Sequence, residues 1–242
     1  MILCFPQQKH LGDSNNIITK TMFFRPFIGS NYHKGINGKK ILVLGASFYC
    51  PKTDCSFFKT CTSITIKDSS PFDCICPEYK TNGICLHDEP TNSIENWYST
   101  YQTFAKGLEQ FVGYADYNNI WSHLAFTNYV QFFLPSNGDS FRTTKSSDLS
   151  ERDFEALIEV VKELSPDIVI VWGCVINTSV KENNKYVFDK DKLKQNEDYL
   201  CHMRVPGVNH DIAIVNPNHP SSASWHSDKE RFLFYLSKAL NE

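Results

Sequence analysis

Three polar residues, Ser47, Asn128 and His219, stand where apolar segments of this chain end or are interrupted. An imidazole can donate a hydrogen bond or take up a proton, a carboxamide can donate and accept at once, and a hydroxyl beside a base can act as a nucleophile. A buried amide is costly unless its hydrogen bonds are met. Asn128 therefore either satisfies neighbouring backbone or faces a cleft and contacts a ligand, and we favour the ligand.

The element that must position these side chains is the segment Ile41–Gly45, an apolar run without polar alternation. Such a run is typical of a strand that is covered on both faces, as in a parallel sheet. Gly45 permits a sharp turn and a close approach of the backbone to a ligand. Ligands of open α/β sheets bind outside the carboxyl ends of the strands, which is where Ser47 and Tyr49 follow.

Further strands and helices complete the predicted fold. Strands are predicted at 124–130, 167–172 and 211–215, and amphipathic helical patterns at about 93–113, 150–165 and 227–240. Because strands alternate with helices, the sequence predicts a three-layer α/β/α doubly wound domain with a central, mainly parallel four-stranded sheet. The carboxyl ends of these strands would bring the three polar residues to one edge of the sheet.

Length and composition indicate a globular protein. With 242 residues, 41% of them hydrophobic and 21% charged, the chain is long enough to bury a core and too apolar to be disordered. Residues 1–38 are interpreted as an N-terminal extension, and residues 39–242 as a single α/β domain with a cysteine-rich insert at about 50–89. The net charge of −3 gives no general reason to expect a polyanionic partner.

Targeting signals are not evident in the sequence. The first residues lack a basic region followed by a long apolar stretch, as a signal peptide would have. No segment approaches the roughly 18 apolar residues that a membrane span needs. We therefore expect a cytoplasmic protein without a membrane partner.

The insert contains six of the nine cysteines of the chain. Thiolate ligation of a metal contributes folding free energy directly, which would hold a loop that has little core of its own. Paired C-x2-C knuckles are missing, so two interpretations remain open: a structural zinc or iron–sulfur site, or free and mixed thiols. Disulfides are disfavoured inside a cell. The candidate metal ligands are Cys55, Cys61, Cys74, Cys76 and Cys85.

Four segments in this order carry a resemblance to a known family. They are Gly45-Ala46-Ser47-Phe48-Tyr49-Cys50, Thr127-Asn128-Tyr129-Val130, the strand from Pro166 to Gly173, and His219-Pro220-Ser221-Ser222-Ala223-Ser224. Together they resemble the uracil-DNA glycosylase superfamily, over about residues 39–50 and 95–240. Its first motif is commonly Gly-Gln-Asp-Pro-Tyr-His and its second His-Pro-Ser-Pro-Leu-Ser. Its middle strand carries the Asn that reads the base.

The resemblance implies a uracil-DNA glycosylase-like fold and a protein that binds a flipped-out base in DNA and hydrolyses its N-glycosidic bond. The base would be uracil or another modified base, in single- or double-stranded DNA. His219 would donate to the departing base, Asn128 would present its amide to the Watson–Crick edge, and Tyr49 would wall the pocket. No cofactor is required for this chemistry.

The remaining roles follow from the same motifs. Gly45 and Ala46 would contribute to base binding through the turn after the first strand, whose backbone N–H groups would assist His219. Ser221 and Ser222 would contact the DNA backbone. Ser47 stands where the family has its water-activating Asp, so water would be positioned by Ser47 or Asn128. Some branches of the family use an Asn instead of that Asp.

Two rival interpretations use the same residues. Ser47, Asn128 and His219 follow the order found in SGNH-type esterases, in which the serine is the nucleophile and the histidine its base. That pattern requires an Asp three residues before the histidine, and this chain has Asn216 there. The third interpretation is a non-catalytic nucleic-acid-binding module that kept the pocket and lost the general base.

Overall fold

The computed structural model describes residues 26–50, 99–113, 117–131, 133–135, 144–183 and 199–242. The strands within these ranges are β1 (Phe27–Ile28), β2 (Ile41–Gly45), β3 (Phe48–Cys50), β4 (Leu124–Asn128), β5 (Phe133–Pro135), β6 (Ile168–Val171), β7 (Leu200–Met203) and β8 (Ile212–Val215). The helices are α1 (Ser99–Val112), α2 (Tyr117–Ser122), α3 (Glu151–Leu164), α4 (Cys174–Asn183) and α5 (Trp225–Asn241). A short 3-10 helix spans Ser146–Asp148.

The main sheet has six strands in the order β1-β4-β2-β6-β8-β7. The inner strands β4, β2, β6 and β8 pair in parallel, whereas β1 and β7 pair antiparallel at the two edges. The chain is therefore an α/β protein with a mixed sheet. The sheet has six strands, whereas four were predicted from the sequence. A second sheet of two parallel strands joins β3 to β5.

Both faces of the inner strands are buried, which explains the lack of polar alternation in their sequences. Leu42 and Leu44 of β2 pack with α3 and α4 on one face. Ile41 and Val43 pack with α1, α2 and α5 on the other. We call these the α3 face and the α1 face of the sheet.

Residues 26–38, part of the N-terminal extension of the sequence analysis, contribute a strand and buried side chains to this fold. β1 pairs with β4 at the edge of the sheet. The side chains of Tyr32 and Ile36 are buried, one on each face.

Among the described helices, none has the length and apolar character that crossing a membrane would require.

The topology places a switch point at the carboxyl ends of β2 and β6. The connection from β2 leads to β4 on one side, and the connection from β6 leads to β8 on the other. The helices that follow them, α1 and α4, pack on opposite faces of the sheet. Such a switch point is where open α/β sheets bind their ligands.

Candidate functional site

Gly45 and Asn128 meet at this edge of the sheet. They are paired residues of the neighbouring strands β2 and β4. A Cβ atom added to Gly45 would lie 2.3 Å from Asn128 Oδ1 and 2.9 Å from Cζ of Phe126. The Asn128 amide therefore lies over Gly45, and only glycine leaves room for it there.

Asn128 is 4% exposed. Within the described part of the chain, its amide makes no hydrogen bond. The contact of Asn128 with a ligand, which the sequence analysis favours, stays a prediction. An amide at this position can donate and accept hydrogen bonds with a ligand.

The backbone after β4 is held by a small polar network. Tyr129 N donates to Gly45 O at 2.9 Å and Val130 N to Ala46 O at 3.0 Å, so the pairing with β2 continues beyond the strand. Gln131 Nε2 donates to Asn128 O at 3.0 Å, and Gln131 N donates to a carboxylate oxygen of Asp153 at 2.9 Å.

Asp153 is buried at the start of α3. It accepts hydrogen bonds from the backbone N–H and the hydroxyl of Ser150, in addition to the one from Gln131. Burial raises the pKa of this carboxyl, and the hydrogen bonds oppose that shift. Asp153 thus joins the end of β4 to α3 and fixes the backbone beneath Asn128.

His219 is held in one tautomer by its own turn. The Ser221 backbone N–H donates to Nδ1 at 3.2 Å, and Ser221 Oγ lies 2.7 Å from the same atom. Because Nδ1 accepts, the neutral ring carries its proton on Nε2. Burial lowers the pKa of His219 to about 4, so the imidazole is neutral at physiological pH. It therefore presents an uncharged Nε2–H donor.

An aromatic row connects His219 to the Gly45–Asn128 contact. The rings of His219 and Trp172 meet edge to face with centroids 5.5 Å apart. The ring centroids of Trp172 and Phe126 are 5.6 Å apart, and the Phe126 ring in turn lies close to the backbone of Gly45. Asn128, Gly45, Phe126, Trp172 and His219 thus form a continuous row at the carboxyl edge of the sheet.

The loop after β8 is anchored at two residues that precede His219. Asn216 Nδ2 donates to Val171 O at 2.7 Å and to Gly173 O at 3.1 Å, which ties the loop to the end of β6. Asn218 N donates to a carboxylate oxygen of Asp228 at 2.9 Å. Asp228 is buried at the start of α5 and is bonded to Arg231.

Ser47 pairs with a residue that the sequence did not single out. Its Oγ lies 2.9 Å from Oγ1 of Thr144, which is buried. Thr144 belongs to a polar loop with no periodic pattern, so nothing in the sequence indicates this contact. Among the described residues, no hydrogen bond joins Ser47 to His219.

The other predicted site residues are distributed as follows. Ala46 packs partly against the core on the α3 face. The hydroxyl of Ser221 contacts His219, and the hydroxyl of Ser222 lies 3.0 Å from that of Ser224, so both are bonded within their own turn. Tyr49 lies in β3, and its role as a pocket wall stays a prediction.

The predicted metal ligands Cys55, Cys61, Cys74, Cys76 and Cys85 lie outside the described residues. Within the described ranges, no cluster of three or more histidine, cysteine or acidic side chains is arranged to hold a metal ion. Cys174 and Cys201 are free thiols. The metal site of the insert therefore stays a prediction.

No protein-family model and no curated protein matches this chain. What the site can do follows from its geometry. It combines a neutral N–H donor on His219 with the amide of the buried residue Asn128, at the edge of the sheet where ligands bind. Such a site can bind a planar polar ligand and stabilise negative charge that develops on it.

Proposed function

We propose that this chain is a uracil-DNA glycosylase-like protein that binds a flipped-out base of DNA and hydrolyses its N-glycosidic bond. The observation that carries the proposal is the neutral His219, whose Nε2–H is free to donate while Nδ1 is occupied by Ser221. The motifs around Gly45 and His219 support the same function by resemblance. The proposed substrate is DNA that contains uracil or another modified base, and the proposed location of the protein is the cytoplasm.

The proposed chemistry uses His219 to stabilise the leaving group. Breaking the bond between base and sugar leaves negative charge on the base and positive charge on the sugar. A donor aimed at a carbonyl oxygen of the departing base therefore binds more strongly in the transition state than in the substrate. One preorganised donor of this kind is worth ~3 kcal/mol, or about 10²-fold in rate.

Asn128 supplies the proposed recognition of the base. Its amide can donate and accept at the same time, which suits the Watson–Crick edge of a flipped-out base. Gly45 keeps space for this amide, because any side chain there would collide with Oδ1. Burial makes mismatched bases costly, since they would leave the amide without partners.

Water activation is the step in which this chain departs from the family. Ser47 replaces the common Asp, and its hydroxyl is paired with Thr144. A hydroxyl that donates to Thr144 keeps lone pairs with which to orient a water molecule. It is a weak base, so the proposed mechanism depends on departure of the base more than on strong activation of water.

The geometry favours this proposal over the esterase. An esterase needs a hydrogen bond from the nucleophilic serine to the histidine and an acidic partner for that histidine. Here Ser47 pairs with Thr144, and the His219 ring pairs with Ser221. Asn216, at the position of the acid, donates to backbone carbonyls of Val171 and Gly173 instead.

The experiment that tests the proposal is a product assay. Oligonucleotides that carry uracil, hypoxanthine or other altered bases, in single and double strands, are incubated with the protein and then with alkali, which cleaves at abasic sites. We expect strand cleavage at the modified base. Labelling of Ser47 by a fluorophosphonate, with no abasic product from any oligonucleotide, would favour the esterase. Tight DNA binding with neither reaction would favour the non-catalytic module.

A further inference from the structure

Trp172 occupies the centre of the candidate site, although the sequence shows it only as the last residue of an apolar strand. It is 2% exposed and stands immediately after β6, at the switch point of the sheet. Its ring contacts His219 edge to face, with an angle of 81° between the planes. On its other sides it contacts rings of the core, namely Phe126, Tyr101 and Phe104.

The backbone of Trp172 is held from three directions. Trp172 N donates to Leu44 O of β2 at 2.9 Å. The Asn216 amide donates to the carbonyls on either side of it, those of Val171 and Gly173. Gly173 then has a φ of +95°, which a side chain would strain, and its N–H donates to Pro217 O at 3.0 Å. The indole is therefore a rigid surface on which the loop of His219 rests.

The imidazole of His219 makes two kinds of contact, one with Ser221 and one with the indole of Trp172. Ser221 engages Nδ1 and sets the tautomer, but a hydrogen bond to one ring atom leaves the ring free to rock about that atom. The edge-to-face contact with Trp172 restricts this motion, and such ring pairs prefer a defined geometry. The same contact covers part of the imidazole and keeps water from it.

We propose that Trp172 is a positioning residue for His219: its indole fixes the plane of the imidazole and shields it from water, which keeps the Nε2–H in place as a donor to the bound ligand. The consequence for catalysis rests on the proposed function, whereas the positioning itself is a property of the protein without DNA. The depressed pKa of His219, which arises from burial, agrees with this role.

The test compares Trp172→Leu with a matched control, Trp121→Leu, by NMR of the full-length protein without DNA. Trp121 is buried in the same cluster and contacts the same three rings, Tyr101, Phe104 and Phe126, but makes no ring contact with His219. It also donates a hydrogen bond to Tyr101 O, so its loss removes at least as many interactions. The readout is the imidazole ¹⁵N shifts of His219, which report its pKa and tautomer.

In Trp172→Leu we expect the pKa of His219 to rise from about 4 toward the ordinary 6.5, and the pKa in Trp121→Leu to stay at the wild-type value. Trp172→Phe, which keeps an aromatic ring, should lie between Trp172→Leu and the wild type. A folded Trp172→Leu protein with the wild-type pKa and tautomer of His219 would overturn the proposal. This result would leave the glycosylase function standing, and absence of base release in the wild type would leave the positioning role standing.

A second measurement uses the wild-type protein and does not depend on the folding of a variant. In the wild-type protein, the indole ¹H–¹⁵N resonance of Trp172 should shift as His219 is protonated near pH 4, because the two rings are in contact. The resonance of Trp121 should not shift with it. A Trp172 resonance that stays constant while His219 titrates would count against the proposal.

Discussion

His219 owes its proposed role to its lack of charge. Its Nδ1 accepts from the turn that contains Ser221, and burial disfavours the imidazolium. The same two features that prepare the Nε2–H as a donor also affect stability, because the unfolded chain exposes this imidazole to water. The pH dependence of folding therefore reports on the state of the proposed catalytic residue without any substrate.

We predict that His219 lowers the stability of the protein in mild acid. Its pKa is about 4 in the folded state and 6.5 ordinarily, so between these values the unfolded chain binds a proton that the folded protein excludes. Stability from this group is present above pH 6.5 and is lost as the pH falls toward 4. Urea denaturation of the wild type and His219→Gln at pH 7 and pH 4.5 should show that the wild type loses more free energy of unfolding than the variant does.

His226 provides the control for this experiment. It is exposed in the first turn of α5, so folding changes its surroundings little. His226→Gln should lose as much stability as the wild type between the two pH values. Equal losses in the wild type and His219→Gln would show that the imidazole of His219 is accessible to protons in the folded protein.

The candidate site could be predicted only in part from single residues. Asn128 is conspicuous because an amide interrupts an apolar run, and His219 because it follows a strand. Trp172 gives no such signal, since an aromatic residue at the end of a buried strand has the same pattern as any core residue. Thr144 lies in a polar loop, and its contact with Ser47 is a consequence of tertiary structure alone.

At the level of secondary-structure elements, the site is the meeting point of three strand ends. β2 contributes Gly45, β4 contributes Asn128, and β6 is followed by Trp172. Asn216, just after β8, donates to carbonyls at the end of β6 and so holds the fourth strand end to the third. The Asn216 amide therefore matters more for the position of the loop that contains His219 than for the charge of the His219 imidazole.

We predict that Asn216→Asp destabilises the protein by about 3 kcal/mol at pH 7, measured as the free energy of unfolding in urea. The substitution would place carboxylate oxygens against the carbonyls of Val171 and Gly173, which now accept from the amide. The loss should be smaller in acid, where a protonated carboxyl can donate one hydrogen bond.

The control for this substitution is Asn209→Asp, at an exposed amide between β7 and β8. Surface changes of this kind usually alter stability by less than about 0.5 kcal/mol. The esterase interpretation makes the opposite prediction, since an acid at position 216 would complete its triad. A stable Asn216→Asp protein that hydrolyses esters would therefore argue for the esterase.

Sequence patterns predicted the inner strands of the main sheet but not its edge strands. The inner strands β2, β4, β6 and β8 were predictable because both of their faces are buried, which requires uninterrupted apolar residues. The edge strands β1 and β7 were missed. β1 has only two residues, and β7 alternates between buried and partly exposed residues over only four positions. Patterns as short as these also occur by chance, so they do not identify a strand.

For the whole molecule, the described core and the cysteine-rich insert differ in what can stabilise them. The inner strands bury both faces against five helices and contain no metal-ligand cluster within the described residues. The insert contributes six cysteines between Cys50 and Cys85 and has few apolar residues for a core of its own. A structural metal would explain such a composition, because ligation contributes folding free energy that a core would otherwise supply.

If the insert holds a structural metal, elemental analysis of the purified protein should find near-stoichiometric zinc or iron. The double substitution Cys74→Ser and Cys76→Ser should release the metal, because thiolates are its proposed ligands. Cys174→Ser, at an exposed free thiol in the α/β domain, should retain it. Metal-free protein that keeps its fold and stability would show that the insert needs no ion.

The most direct test of the proposed function is the single-turnover rate at which a base is released from an oligonucleotide. Wild-type protein should convert a strand with uracil or another modified base to an abasic product, and His219→Ala should be slower by about 10²-fold or more, because it lacks the leaving-group donor. His226→Ala, at an exposed position of α5, should react at the wild-type rate. A folded wild-type protein that releases no base from any modified strand, or a His219→Ala protein that reacts at full rate, would contradict the assignment.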